Sequence, residues 1–132
     1  MIAFARTHPT RTALVVDDEQ VVRLVLRRYL ARVGWRVVEA ETAERALELL
    51  ADGPAPDIVF CDLNLPGLSG AELCRRIAEL HPALATRLVV TSGDAATAAA
   101  ELEAASIDRP VLGKPFALAE LQRVVDTVAP IA

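Results

Sequence analysis

A chain of 132 residues with a formal net charge of −4 has the size of one domain, and its charge argues against nonspecific nucleic-acid binding. Hydrophobic residues make up 53% of it, alanine alone supplying 24, yet no apolar run approaches the roughly 20 residues that span a bilayer. Met1–Ala5 is too short for a signal peptide and lacks a basic start, so the expectation is a cytoplasmic protein with no membrane or direct nucleic-acid partner.

Residues 1–11 carry no periodicity, include Pro9, and read as an N-terminal tail. Thr12–Val16 is an apolar first strand that ends on Asp17 and Asp18. From Gln20 to Val33, the residues Val22, Val25, Leu26, Tyr29 and Val33 recur at helical spacing and predict a buried face. Arg23, Arg27, Arg28 and Arg32 fall on the other side as a solvated stripe that could dock an acidic partner, and Gly34 stops the helix. Trp35–Ala40 is a second strand. Thr42 caps a helix running to about Ala51, and Asp52–Pro56 is a turn.

Ile58-Val59-Phe60-Cys61-Asp62 is the central strand: a short run rich in β-branched and aromatic residues that ends on a carboxylate before the Pro66-Gly67 turn. A charge placed there needs a partner. Ser69 and Glu72 have capping-box spacing and open a helix to about Leu80, which Pro82 breaks. Arg87–Thr91 is a fourth strand ending on the hydroxyls of Thr91 and Ser92. An alanine-rich helix runs from about Ala95 to Ala105, Val111–Gly113 is a fifth strand ending on Lys114, and Leu118–Val128 is the last helix. Residues 129–132 read as a C-terminal tail.

Five strands alternate with five helices. Short, continuously apolar strands predict a parallel sheet covered on both faces, with right-handed crossovers. Ligands of such sheets gather beyond the carboxyl ends of the strands, where the chemically active residues of this chain also lie. Cys61 and Cys74 are not spaced as a C-x-x-C pair and read as buried, inert thiols. His8 and His81 have no ligand spacing, and His81-Pro82 reads as a helix end.

If the first and third strands are neighbours, Asp17, Asp18 and Asp62 converge, and they cannot all ionise at close range without a cation among them. An all-oxygen set with room for water suits Mg²⁺, with a backbone carbonyl such as that of Asn64 as a further ligand. Of 14 basic residues only Lys114 is lysine, a compact cation that serves as a point contact for phosphate. The Lys114-Pro115 bond is a candidate cis peptide. Thr91 and Ser92 offer hydroxyls to an oxyanion; their alternative role is to cap the following helix, which Asp94 could do instead. A carboxylate nucleophile, a metal, a lysine and a hydroxyl are equipment for receiving a phosphoryl group.

Val15-Val16-Asp17-Asp18-Glu19, Asp62-Leu63-Asn64-Leu65-Pro66-Gly67-Leu68-Ser69-Gly70, Val90-Thr91-Ser92 and Lys114-Pro115-Phe116 stand in an order and spacing that resembles the receiver domain of bacterial two-component signalling. The resemblance covers about residues 12–128. It implies a flavodoxin-like (βα)5 doubly wound α/β sandwich with strand order 2-1-3-4-5. It implies that Asp62 is the phosphoacceptor, that Asp17, Asp18, Asp62 and the Asn64 carbonyl hold Mg²⁺, and that Thr91 and Lys114 bind the phosphoryl group and report it. The implied donor is a phosphohistidine on a histidine kinase or histidine phosphotransfer protein. The implied role is signalling rather than turnover of a substrate.

The chain departs from the family pattern at Val111, where many receivers carry a switch aromatic, and at Gly93, which leaves the phosphoryl site open. Only four residues follow Val128, so the expectation is a stand-alone response regulator or a receiver excised from a hybrid sensor kinase, which the Val111–Phe116 run resembles. The fourth helix, fifth strand and fifth helix form a candidate homodimer face. Rival readings are a receiver-fold adaptor that takes no phosphate and an aspartate-nucleophile phosphohydrolase. The hydrolase would want an acid two residues after Asp62, where Asn64 stands. A nucleotide- or flavin-binding module would want a glycine-rich phosphate loop after the first strand rather than Asp17-Asp18-Glu19.

Overall fold

The computed structural model describes residues 10–130, and His8 and most of the predicted N-terminal tail lie outside them, as do residues 131 and 132. Five strands, β1 (Thr12–Val16), β2 (Arg36–Ala40), β3 (Ile58–Asp62), β4 (Leu88–Ser92) and β5 (Val111–Gly113), alternate with five helices. The helices are α1 (Gln20–Arg32), α2 (Ala43–Asp52), α3 (Gly70–Leu80), α4 (Ala95–Ala104) and α5 (Leu118–Val128). All neighbouring strands are parallel, in the order β2-β1-β3-β4-β5, which is the predicted flavodoxin-like topology.

Strand alternation explains why both faces need cover. Leu14, Val16, Val59, Cys61, Leu88 and Val90 face one layer of core with residues of α2, α3 and α4. Ala13, Val15, Ile58, Phe60, Val89 and Leu112 face the other, against α1 and α5. The β3 strand is buried along its whole length, so nothing but apolar residues could precede Asp62. Cys61 and Cys74 are both buried inside the first layer, where their mutual hydrogen bond and burial push the Cys61 thiol well up, while the same hydrogen bond lowers the Cys74 thiol.

Local signals set the helix starts. Thr42, Ser69 and Asp94 each accept a backbone N–H of the first turn, from Arg45, Glu72 and Thr97. The ends differ from expectation where packing intervenes. Trp35 is buried ahead of β2, its N–H closing on the Leu30 carbonyl at 2.9 Å. A short 3₁₀ turn, Pro82–Thr86, buries Leu84 where only a break was expected, and β4 begins one residue late at Leu88. His81 ends α3 and points its Nε2 at the Leu50 carbonyl, 2.7 Å away, bridging α3 to α2.

On α1 the predicted face holds at Leu26, which is buried, and at Val22 and Tyr29, which pack partly buried against the core; Val25 and Val33 are exposed instead, and Leu30 is buried in their place. Arg11 and Ala129 lie just beyond the expected 12–128 boundaries, and both touch the folded body. The Arg11 guanidinium stacks over Trp35 at 4.0 Å and donates to the Ala129 carbonyl. Among the described residues no helix is long and apolar enough to cross a membrane.

Candidate functional site

Three strand ends assemble the site. After β1, the Asp17 N–H donates to the Ala40 carbonyl of β2 at 3.1 Å, and Asp17 Oδ1 accepts the Glu19 N–H at 2.8 Å. Asp62 is the last residue of β3, and its Oδ1 accepts the Asn64 N–H at 3.1 Å. Beyond β5, the Lys114 N–H donates to the Ser92 carbonyl at 2.8 Å, and the Lys114-Pro115 bond is cis. That anchoring delivers the Lys114 ammonium to 2.8 Å from Asp17 Oδ2, 3.4 Å from Asp62 Oδ2 and 3.6 Å from Glu19 Oε1.

Asp17, Asp18 and Asp62 each place one carboxylate oxygen within 4.8 Å of the others. Asp17 is 1% exposed, and its Oδ2 accepts no well-aligned hydrogen bond, having only the ammonium against it. Carboxylates therefore outnumber cations. Burial pushes the Asp62 carboxyl above its ordinary 3.8; repulsion from Asp17 adds to this, while the Asn64 N–H and Lys114 oppose it. Burial alone would lower the Lys114 ammonium, but hydrogen bonding and charge from Asp17 and Asp62 outweigh it and raise it overall.

The donor set fits a small, hard cation. It is all oxygen, its buried Asp17 Oδ2 has only the Lys114 ammonium for a partner, and Asp18 is exposed so that waters can complete a coordination shell. Asp17, Asp18 and Asp62 would hold such an ion, which would neutralise their mutual repulsion.

Thr91 is buried on β4 directly opposite Asp62 in the sheet register, and its carbonyl accepts the Leu63 N–H at 3.0 Å. Ser92 is placed differently from Thr91. Its hydroxyl is engaged with the Asp94 backbone, donating to the carbonyl at 3.1 Å and accepting the N–H at 3.0 Å. Its contribution to the site lies in the carbonyl that anchors Lys114. Asn64 is exposed in the turn after β3. Val111 is half-buried on β5, across from Val90 and packed on the α4 side of the core.

Two residues escaped the sequence reading. Glu19 joins the carboxylates around Lys114. Arg23, assigned to the solvated stripe, turns its guanidinium inward and donates to the Asp17 carbonyl at 2.7 Å. Adjacency to Asp17-Asp18 was the available signal for Glu19. For Arg23 the signal was its i,i+4 spacing from Arg27, opposite Glu39 of the neighbouring strand.

The family model described as "Response regulator receiver domain" matches residues 13–126. Response regulator MprA of Mycobacterium sp. (strain KMS) is 38% identical over 108 residues, which are 82% of this chain and 46% of that protein. The chain thus spans about half the length of its MprA relatives. Among solved structures, a response regulator receiver protein from Sinorhizobium medicae WSM419 superposes with a TM-score of 0.79 at 29% identity, covering 91% of this chain and 94% of that one. Response regulator protein TrrA from Thermotoga maritima, solved in complex with Mg(2+)-BeF, superposes with a TM-score of 0.78 at 27% identity, covering 90% and 99%. The four motifs, their convergence at one sheet edge and a family match over most of the length lead to one conclusion: the chain belongs to the response regulator receiver domains of two-component signalling.

Proposed function

We propose that the protein takes a phosphoryl group onto Asp62 from a phosphohistidine on a histidine kinase or histidine phosphotransfer protein, in a Mg²⁺-dependent reaction, and signals by conformational change. The observation that carries this reading is the meeting of the Asp17, Asp18 and Asp62 carboxylates with the Lys114 ammonium at one sheet edge. An Asp62 oxygen attacks phosphorus, the phosphorus–nitrogen bond breaks, and imidazole leaves with the bonding pair. Mg²⁺, when bound, shields the charge between nucleophile and phosphoryl oxygens.

Asp17, Asp18, Asp62 and the Asn64 carbonyl are the ligands we assign. Lys114 is poised to exchange a carboxylate for a phosphoryl oxygen. The product adds about 1.5 to 2 negative charges to the site. The Thr91 hydroxyl is drawn toward that charge, and we assign the readout to α4, β5 and α5, the face a second copy or an output partner would recognise. Val111, in place of an aromatic, transmits the shift through its packing beside α4. Nothing lies within 4 Å of where a side chain on Gly93 would begin, so water or a partner has access to the phosphoryl group.

The donor must reach the same edge. Val21, 70% exposed in the first turn of α1, and Leu118, 58% exposed in the first turn of α5, follow the two site loops directly. We assign them to the donor's docking surface. The double variant Val21→Ser/Leu118→Ser should slow transfer from a phosphohistidine donor about tenfold, about 1.4 kcal/mol, while a small-molecule phosphodonor reacts as before. Equal slowing of both reactions would place the damage in the site instead.

Intact mass after incubation with a small-molecule phosphodonor, with and without Mg²⁺ and beside Asp62→Asn, tests the reading itself. One phosphoryl adduct that requires both Mg²⁺ and Asp62 is the expected result. No adduct on a folded, Mg²⁺-binding protein would favour the adaptor. Multiple-turnover release of phosphate from a monoester would favour the hydrolase, although the Asn64 amide is too weak an acid to protonate a leaving group.

A further inference from the structure

Arg23 stands one turn into α1, its N–H bonded to the Glu19 carbonyl at 3.2 Å. A charged residue on the exposed side of a surface helix normally runs into water, yet this side chain is 13% exposed. One arm, Nη1, donates to the Asp17 carbonyl at 2.7 Å, and Nε donates to Glu39 Oε1 at 3.2 Å. The other Glu39 oxygen accepts from Arg27 at 2.8 Å.

Asp17 is thereby gripped at three points: its N–H by β2, its Oδ1 by the Glu19 N–H, and its carbonyl by Arg23. The one Asp17 group not fixed by the backbone or by Arg23 is Oδ2, whose partner is the Lys114 ammonium and which faces the other carboxylates. The planar fork of arginine suits this task, because two acceptors lie in set directions and one of them locks the plane. Glu39 also offsets the charge of Arg23, so that the guanidinium does not act as a loose counter-ion to the acidic edge.

We propose that Arg23, clamped by Glu39, is a positioning residue for the acidic loop: by holding the Asp17 carbonyl it presents Asp17 and Asp18 to the cation. This rests on the Mg²⁺ reading above. Groups that orient metal ligands through hydrogen bonds typically change metal affinity by about 10- to 100-fold when removed.

The test is Mg²⁺ affinity by titration calorimetry without phosphodonor, on the full chain, for wild type, R23K, R23Q, E39Q and the R23Q/E39Q double variant. The rate of adduct formation is then followed against Mg²⁺ concentration. R23Q should bind Mg²⁺ at least about tenfold more weakly, and its rate should recover largely at saturating Mg²⁺. R23K, which keeps the charge but not the fork, and E39Q should shift affinity in the same direction by less. The double variant should be no worse than R23Q, because both changes act through one contact.

A folded R23Q with wild-type affinity overturns the proposal. If R23Q does not fold, unchanged affinity in both R23K and E39Q overturns it equally. A wild type that binds no Mg²⁺ overturns the underlying reading and this inference with it, an outcome distinct from normal binding that ignores Arg23.

Discussion

Gly70→Ala should destabilise the protein by about 3 kcal/mol, at the upper end of what overpacking usually does. A Cβ at Gly70 would lie 2.5 Å from the Leu63 Cα and 2.9 Å from both its carbonyl oxygen and its Cδ1. Two of those three atoms are backbone, so no rotamer change relieves the clash. The contact exists because the loop after β3 closes on the first turn of α3, with the Gly70 N–H donating to the Leu63 carbonyl at 3.1 Å. Leu63 directly follows Asp62. Relief of the clash must therefore move the acceptor loop, and phosphoryl uptake should fall even in the fraction that stays folded. A urea unfolding series reads the first effect and adduct mass the second. A midpoint close to that of wild type would mean that α3 can shift as a body without disturbing β3.

Lys114→Met should cost about 3 kcal/mol in the absence of Mg²⁺, because removing one partner of a buried pair leaves the other charge uncompensated. Asp17 and Asp62 are buried and share this one ammonium, at 2.8 Å and 3.4 Å. The lower end of the usual range applies, since Asp18 and Glu19 open the site to water on one side. Adding Mg²⁺ should restore most of the loss, and the stabilisation by Mg²⁺ should be larger in the variant than in wild type.

The deficit should also depend on pH in a definite direction. Asp62 already has a folded pKa above its ordinary 3.8, so the fold prefers its protonated form. Such a group opposes folding at neutral pH, and the opposition fades as pH falls through the folded value. Without Lys114 the preference grows, so the gap between variant and wild type should be widest at neutral pH and narrow in mild acid. Thermal unfolding at several pH values, with and without Mg²⁺, reads both effects. A variant as stable as wild type at neutral pH without Mg²⁺ would mean that water alone compensates these carboxylates.

Much of this was legible in the linear order of residues. Ile58–Asp62 could only be a buried strand, because an uninterrupted apolar run needs cover on both faces, and a carboxylate at its end marks the sheet edge. Thr42, Ser69 and Asp94 start their helices through contacts three residues away, which is why local spacing revealed them. The strand ends carrying Asp17, Asp62, Thr91 and Lys114 followed from the same logic.

What was not legible depended on the neighbour each side chain meets. Helical periodicity assigned Val25 and Val33 to the core and Arg23 to water. The sheet kept Leu26 inside as the spacing had it, added Leu30, and set Glu39 of β2 beside Arg23. Nothing in the order of residues stated that Ser92 would spend its hydroxyl on Asp94 while lending its carbonyl to Lys114. Nor did it state that Gly70 would lie against Leu63, or that Cys61 and Cys74 would meet. Periodicity reports which residues prefer water, a property of each residue alone. Ion pairs, close approaches and the grip on Asp17 are properties of pairs, and pairing between distant residues is settled only when the parallel strands choose their register.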